Sequence, residues 1–339
     1  MSSPVLALVA NAKDGTVSTF RIADGHLTRI AVSEVGPDCG TLAVDSERLL
    51  VYVATKPGSV VTCTLDPVGG QLTRLSETTA PGALAYLTLT PHGNRLLGVG
   101  YHGGFGLCWP VSGGVLSTPA PAVSHANLHS VVVTKDTRHA YVVSLGEDAV
   151  VRYALGRDGS LTEPLVAAAP EGSGPRHIVL NSAETSAFVV TEFSGEVLHY
   201  SRDTTTGALA LTSQASIVEP SAGLAHSRIG ADPIAGHLIW GADVHLAPNG
   251  KFAWASERSA STIATLPLGL SGEPEPATVF TPTEAQPRGF GVTPDGQYLL
   301  AVGERSTTAT LYEIGADGAL VALESQETGH GANWVRFVS

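Results

Sequence analysis

His129, Arg176 and Arg288 each stand two residues ahead of an apolar run, and Glu192, Arg258 and Glu304 each stand fourteen residues after the first apolar position of one. An imidazole, three guanidiniums and two carboxylates at matched register suit acid–base chemistry on an oxygen-rich or anionic molecule. A planar guanidinium pairs two oxygens at once, and one aimed at a carbonyl stabilises the oxyanion that forms on attack. Glu192 beside Arg176 would be held ionised, ready to orient or deprotonate a water. His129 fits a general acid or base near neutral pH. Either Glu192 or His129 can be the base. The set matches addition of water to an activated ester, or its reverse, without a metal or other cofactor.

The apolar runs belong to a repeat. LAVDSERLLVYVAT from Leu42, LTLTPHGNRLLGVG from Leu87 and VVVTKDTRHAYVVS from Val131 are followed by IVLNSAETSAFVVT from Ile178, VHLAPNGKFAWASE from Val244 and FGVTPDGQYLLAVG from Phe290. The spacings are 45, 44, 47, 66 and 46 residues, and a truncated copy, WVRFVS, starts at Trp334 after a further 44. Each copy is two short runs rich in Val, Leu, Thr and aromatics around a Pro/Asn/Asp-Gly turn, which reads as a hairpin. Two weaker alternating segments follow, as in VVTCTLD and QLTRLSETTA. Four strands per unit of this length predict a β-propeller blade. No helical periodicity of useful length is present.

The termini complete each other. VLALVANA, TVSTFRIA and HLTRIAVSEV supply three strands of a blade that lacks its innermost one, and WVRFVS supplies that strand. The expectation is all-β: one seven-bladed propeller over residues 1–339, its four-stranded antiparallel blades closed by both termini and its open sheet edges removed. The 66-residue gap carries an insertion at about 218–240, containing His226, Arg228 and His237. Such an insertion maps to a loop, either on the binding face or as a neutral excursion.

In a blade the innermost and second strands run antiparallel, so the start of the first and the end of the second share one end of the propeller. All six residues should therefore ring one mouth of the channel. Alternation puts His129, Arg176 and Arg288 on equivalent sides of their strands, and His177 and His245 on the opposite side. An Arg–Glu pair near a blade turn can instead stitch neighbouring blades. Ala85 and Leu145 at the same register in other copies are not what stitching predicts. The reading is Arg176, Glu192 and His129 as catalytic, with Arg258, Arg288, His177, His245 and Glu304 binding substrate.

Composition narrows the partners. A net charge of −12 argues against nucleic acid and anionic membranes. Hydrophobic content of 43% with 38 Gly and 21 Pro describes a real core broken by many turns. Cys39, Cys63 and Cys108 follow no metal-ligand spacing and read as small buried thiols, which suits a reducing compartment. The start of the chain shows no basic leader and too short an apolar run to span a bilayer. A cytoplasmic monomer or weak homo-oligomer is expected. No GxSxG elbow, HExxH, Walker loop or dinucleotide fingerprint occurs.

GPRHIVLN at 174–181, ADVHLAPNGKFAWASERSAS at 242–261 and QPRGFGVTPDGQYLLAVGE at 286–304 resemble the lactonase family of seven-bladed β-propellers. That family includes the propeller-type 6-phosphogluconolactonase and, more distantly, the carboxy-cis,cis-muconate lactonizing enzyme. The resemblance spans essentially the whole chain and implies lactone chemistry in the central channel, usually without metal. The muconate enzyme's His, two Arg and Glu correspond by motif to His129, Arg176, Arg258 and Glu192. The implied activity is hydrolysis of an aldonic, phosphoaldonic or aldaric acid 1,5-lactone. The alternatives are lactone isomerisation or cycloisomerisation, and a non-enzymatic interaction platform. Arg258, Arg288 and Arg305 fit a phosphate clamp, and a carboxylate would serve as well.

Overall fold

A computed structural model describes residues 4–121 and 123–338. Residues 1–3, 122 and 339 lie outside the described residues, and with them the first residues of the MSSPVLALVANAKDG start and the last residue of WVRFVS. Seven antiparallel sheets follow one another along the chain. Their innermost strands are Leu42–Asp45, Tyr86–Leu89, Leu128–Val133, Pro175–Leu180, Gly241–Leu246, Gly289–Val292 and Ala332–Val338. Each lies beside the next in a closed ring, giving blades 1 to 7 in that order. Six blades have four strands; in blade 2 the outer position is shared by two short strands, Val115–Leu116 and Val123–Ser124. Pro119 and Pro121 stand between them, and proline cannot donate to a ladder.

Burial explains the run lengths. The second strand of blade 3, His139–Ser144, is buried at every residue because neighbouring blades cover both faces. The outer strand of blade 1, Leu72–Thr79, is mostly exposed and keeps the weak alternation of a sheet edge. Between blades the apolar faces interlock, as where Tyr141 and Val143 meet Ile178 and Val189. The tight turns share one device. Thr134 Oγ1 accepts from the His139 amide and donates to Asp136, and Thr293 does the same with Tyr298 and Asp295. Cys39, Cys63 and Cys108 are buried, and burial pushes their thiols up to about 12, 11 and 11.

Blade 7 is closed as the repeat demands, its strands ordered Ala332–Val338, Val5–Asn11, Thr16–Ala23 and His26–Glu34. Among the described residues the helical content is one 3-10 turn, Pro220–Ala222, inside the insertion. No helix there is long and apolar enough to cross a membrane.

Removing residues 332–339 would expose the ladder edge of Val5–Asn11 and leave its apolar face uncovered. The truncated chain is expected to aggregate in size-exclusion chromatography. Trp334, 4% exposed, is expected to cost about 3–5 kcal/mol on substitution by Ala, read by denaturant melting.

Candidate active site

The mouth of the channel is shaped by β-bulges. In blade 3 Leu128 pairs with Ser144 and Ser130 with Val143, so His129 is an extra residue; in blade 4 Pro175 pairs with Thr191 and His177 with Val190, so Arg176 is extra. Blade 5 sets Ala242 and Asp243 against Ser256 alone, and blade 7 inserts Asn333. A bulge turns a side chain away from the face that strict alternation assigns. Arg176 and His177 accordingly both reach blade 5, Arg176 at the Ala242 carbonyl and His177 at Asp243. The opposite-side expectation for this pair is corrected by the bulge. Two glycines allow the close approach. A Cβ on Gly174, at φ +63°, would collide with the Phe193 ring, and one on Gly241 with the Thr191 carbonyl.

Five of the six register residues join in one chain of opposite charges across blades 4, 5 and 6. Arg176 Nε donates to Glu192 Oε2 at 2.9 Å. Arg258 lies 3.4 Å from the same Glu192 oxygen and 3.6 Å from Glu304 Oε2. Arg288 Nη1 donates to Glu304 Oε1 at 3.0 Å. The Arg258 guanidinium also stacks over the Trp240 ring at 3.5 Å from its centroid, a cation–π contact. Both contacts to Glu192 fall on Oε2, and Oε1 has no hydrogen bond or ion pair among the described residues. Glu304, by contrast, uses both oxygens.

Burial, then the neighbouring Arg288, pushes Arg176 down to about 10, and burial pushes Arg258 down to about 9. Glu192 counters both shifts, so the guanidiniums stay charged at neutral pH. Burial works to raise Glu304, but Arg288 and Arg258 outweigh it and hold its carboxyl below the usual range. His129 is held well below the ordinary imidazole value by burial first, then by Arg176, His177 and Arg288. At neutral pH it is an uncharged imidazole. Its buried Nδ1 is without a partner among the described residues.

A cleft of about 480 Å³ opens at this mouth, a size that holds a small metabolite. His129, Glu192, Arg258, Arg288 and Glu304 line it. Arg176, His177 and His245 do not. Arg176 is fully buried behind Glu192, His177 lies between Tyr86 and Trp334, and His245 packs against Phe290. The insertion reaches the cleft through Trp240. His226 and His237 bond to carbonyls within the loop, and Arg228 is exposed to solvent. Arg305 also stands outside the cleft lining.

Several lining residues escaped the sequence reading. Lys56 and Tyr101 occupy the fourteenth position after Leu42 and Leu87, so the register rule finds them once it is carried into blades 1 and 2. Lys13 and Asn333 come from the blade that closes the ring and have no counterpart at that spacing. The chain has only four lysines, and two of them, Lys13 and Lys56, line this cleft. Asp243 was also missed; it lies between Ala242 and Val244 in an innermost strand, where a carboxylate is out of place. Among the described residues no three carboxylate, imidazole or thiol groups are grouped so as to hold a metal.

The model of the family described as lactonase, 7-bladed beta-propeller, matches residues 6–337. A 6-phosphogluconolactonase of Enterobacter sp. is 27% identical over 332 residues, 96% of each chain. The crystal structure of a protein from Lactobacillus plantarum superposes with a TM-score of 0.89 at 22% identity, over 99% of this chain and 100% of that one. The structure of a periplasmic gluconolactonase of Pseudomonas aeruginosa gives 0.86 at 20% identity, over 99% of both. The chain belongs to the lactonase family of seven-bladed β-propellers.

Proposed function

We propose that this protein hydrolyses a sugar 1,5-lactone that carries a negative charge remote from the reacting carbonyl, with Glu192 as general base. The observation that carries this reading is the asymmetry of Glu192. Arg176 and Arg258 engage one oxygen and orient the carboxylate, while Oε1 remains available to a water in the cleft. Oε1 takes a proton as the water oxygen bonds to the lactone carbonyl carbon. The carbonyl oxygen becomes an oxyanion beside Arg288, whose side chain is 34% exposed and whose Nη1 alone is engaged by Glu304. Collapse of that intermediate breaks the bond to the ring oxygen, and protonated Glu192 returns its proton there. The free acid leaves and the carboxylate is restored. His129, as a neutral imidazole, bonds a substrate hydroxyl.

Lys13 and Lys56, on blades 7 and 1, supply positive charge at another part of the cleft from the arginines of blades 5 and 6. A molecule spanning the two regions places its lactone at Glu192 and an anionic tail at the lysines. The relative named for 6-phosphogluconolactone supports a phosphorylated sugar lactone as the first substrate to test.

Glu192→Gln keeps the side-chain shape and removes the base. Turnover above the spontaneous rate is expected to fall about 10²–10⁴-fold with the circular dichroism spectrum unchanged. A folded Gln variant as fast as the parent sinks the assignment. NMR of products from a panel of aldonic, aldaric and phosphorylated lactones is expected to show the free acid; a changed ring size means isomerisation instead.

The double variant Lys13→Ala/Lys56→Ala is expected to raise KM for the phosphorylated lactone about tenfold or more, since one lost charge-assisted contact is worth about 1.5–3 kcal/mol. The uncharged aldonic lactone should be little affected. Equal effects on both substrates would place the tail elsewhere. Exhaustive chelation is expected to leave turnover unchanged, as the donor set implies.

A further inference from the structure

Beneath the cleft lies a buried relay that the hydrolysis itself does not use. Asp243 Oδ1 lies 2.8 Å from His177 Nδ1 and also accepts the Val244 amide at 3.0 Å; Oδ2 lies 3.3 Å from His245 Nε2. On its other side His177 Nε2 is 3.1 Å from Arg176 Nη1. That same Nη1 donates to the Ala242 carbonyl, and Nε donates to Glu192. Arg176 is always a donor, so its contact with His177 works only if Nε2 carries no proton. A carboxylate at Nδ1 enforces that tautomer.

We infer that Asp243 is a positioning residue: by accepting the Nδ1 proton of His177 it leaves Nε2 to accept from Arg176, which turns the guanidinium so that its Nε meets Glu192. The inference rests on Glu192 acting as the base. With the other tautomer an Nε2 hydrogen would confront an Nη1 hydrogen, and Arg176 would be driven off the Ala242 carbonyl or off Glu192. Burial first, then Arg176, pushes His177 down to about 3, so the imidazole stays neutral. Asp243 is held well below the carboxylate range, since His245 and His177 outweigh its burial. The charged or titratable groups facing His177 are Arg176, Asp243, His129 and, farther off, Arg288, with the Tyr86 and Trp334 rings closing the remainder.

The parent and two Asp243 variants test the relay. Asp243→Ala removes the acceptor, while Asp243→Asn keeps an acceptor at Oδ1 without the charge. Turnover of the lactone is expected to fall about 10–100-fold in the Ala variant, with kcat carrying the loss. The Asn variant should stay within about threefold of the parent, because the tautomer rather than the charge is what matters. Histidine-selective 15N NMR, with the His177 signal identified by its loss in His177→Gln, should show an Nδ1 proton in the parent and in Asp243→Asn, and its loss in Asp243→Ala. In the parent that signal should hold between about pH 5 and 8, where an ordinary histidine titrates.

The inference is overturned if parent His177 carries its proton on Nε2 or becomes imidazolium in that range, a result that requires no variant to fold. It is also overturned if folded Asp243→Ala keeps both tautomer and kcat. A fully active Glu192→Gln protein would sink the hydrolytic reading instead, and the tautomer data would stand apart from it.

Discussion

The site is organised by the pairing of three guanidiniums, those of Arg176 and Arg258 buried, with two carboxylates. Arg176, Glu192, Arg258, Glu304 and Arg288 alternate in sign across three blades. A guanidinium withdrawn from water costs several kcal/mol unless paired and hydrogen-bonded. Here each carboxylate serves two arginines, and Arg258 adds an indole face. Removing one member strands its neighbours, so the chain behaves as a unit. It also leaves one positive charge in excess, which suits a mouth that receives an anion in a protein of net charge −12.

That arrangement is available only because the innermost strands are irregular at the mouth. A regular ladder has one residue for each partner, and alternate side chains face opposite neighbours. The extra residue in blades 3, 4 and 5 breaks this rule at His129, Arg176 and the Ala242–Asp243 step. Two consecutive side chains, Arg176 and His177, then act on the same neighbouring blade. The bulges raise local twist and leave unpaired backbone, a cost tolerated at strand ends where the channel widens.

The division between the two glutamates follows from the same geometry. Glu304 has one oxygen on each of two arginines. Glu192 receives both of its guanidiniums on one oxygen. Equal residue types at equal register thus hold unequal chemical capacity. Arg176 is fully buried behind Glu192, whereas Arg258 and Arg288 meet the cleft.

The fold was legible in the sequence because a propeller repeats its instructions. Seven copies at near-constant spacing specify blade, strand number and closure, since each blade buries its faces only against the next. Register alone also brought His129, Glu192, Arg258, Arg288 and Glu304 to one mouth, and carried into blades 1 and 2 it reaches Lys56 and Tyr101 as well. What it could not contain was direction and depth. Alternation is a rule about regular strands, and a bulge is decided by packing with both neighbours, so the joint turn of Arg176 and His177 toward blade 5 was hidden. Lys13 and Asn333 reach the cleft through ring closure, a contact between chain ends that no local spacing encodes. Asp243 differs again: its carboxylate was plain to read, but its meaning lies in the imidazole it touches 66 residues earlier. Sequence determined which residues share a blade position; tertiary structure decided which oxygens and nitrogens face one another, because hydrogen bonds reach only about 3 Å and their partners lie on different blades.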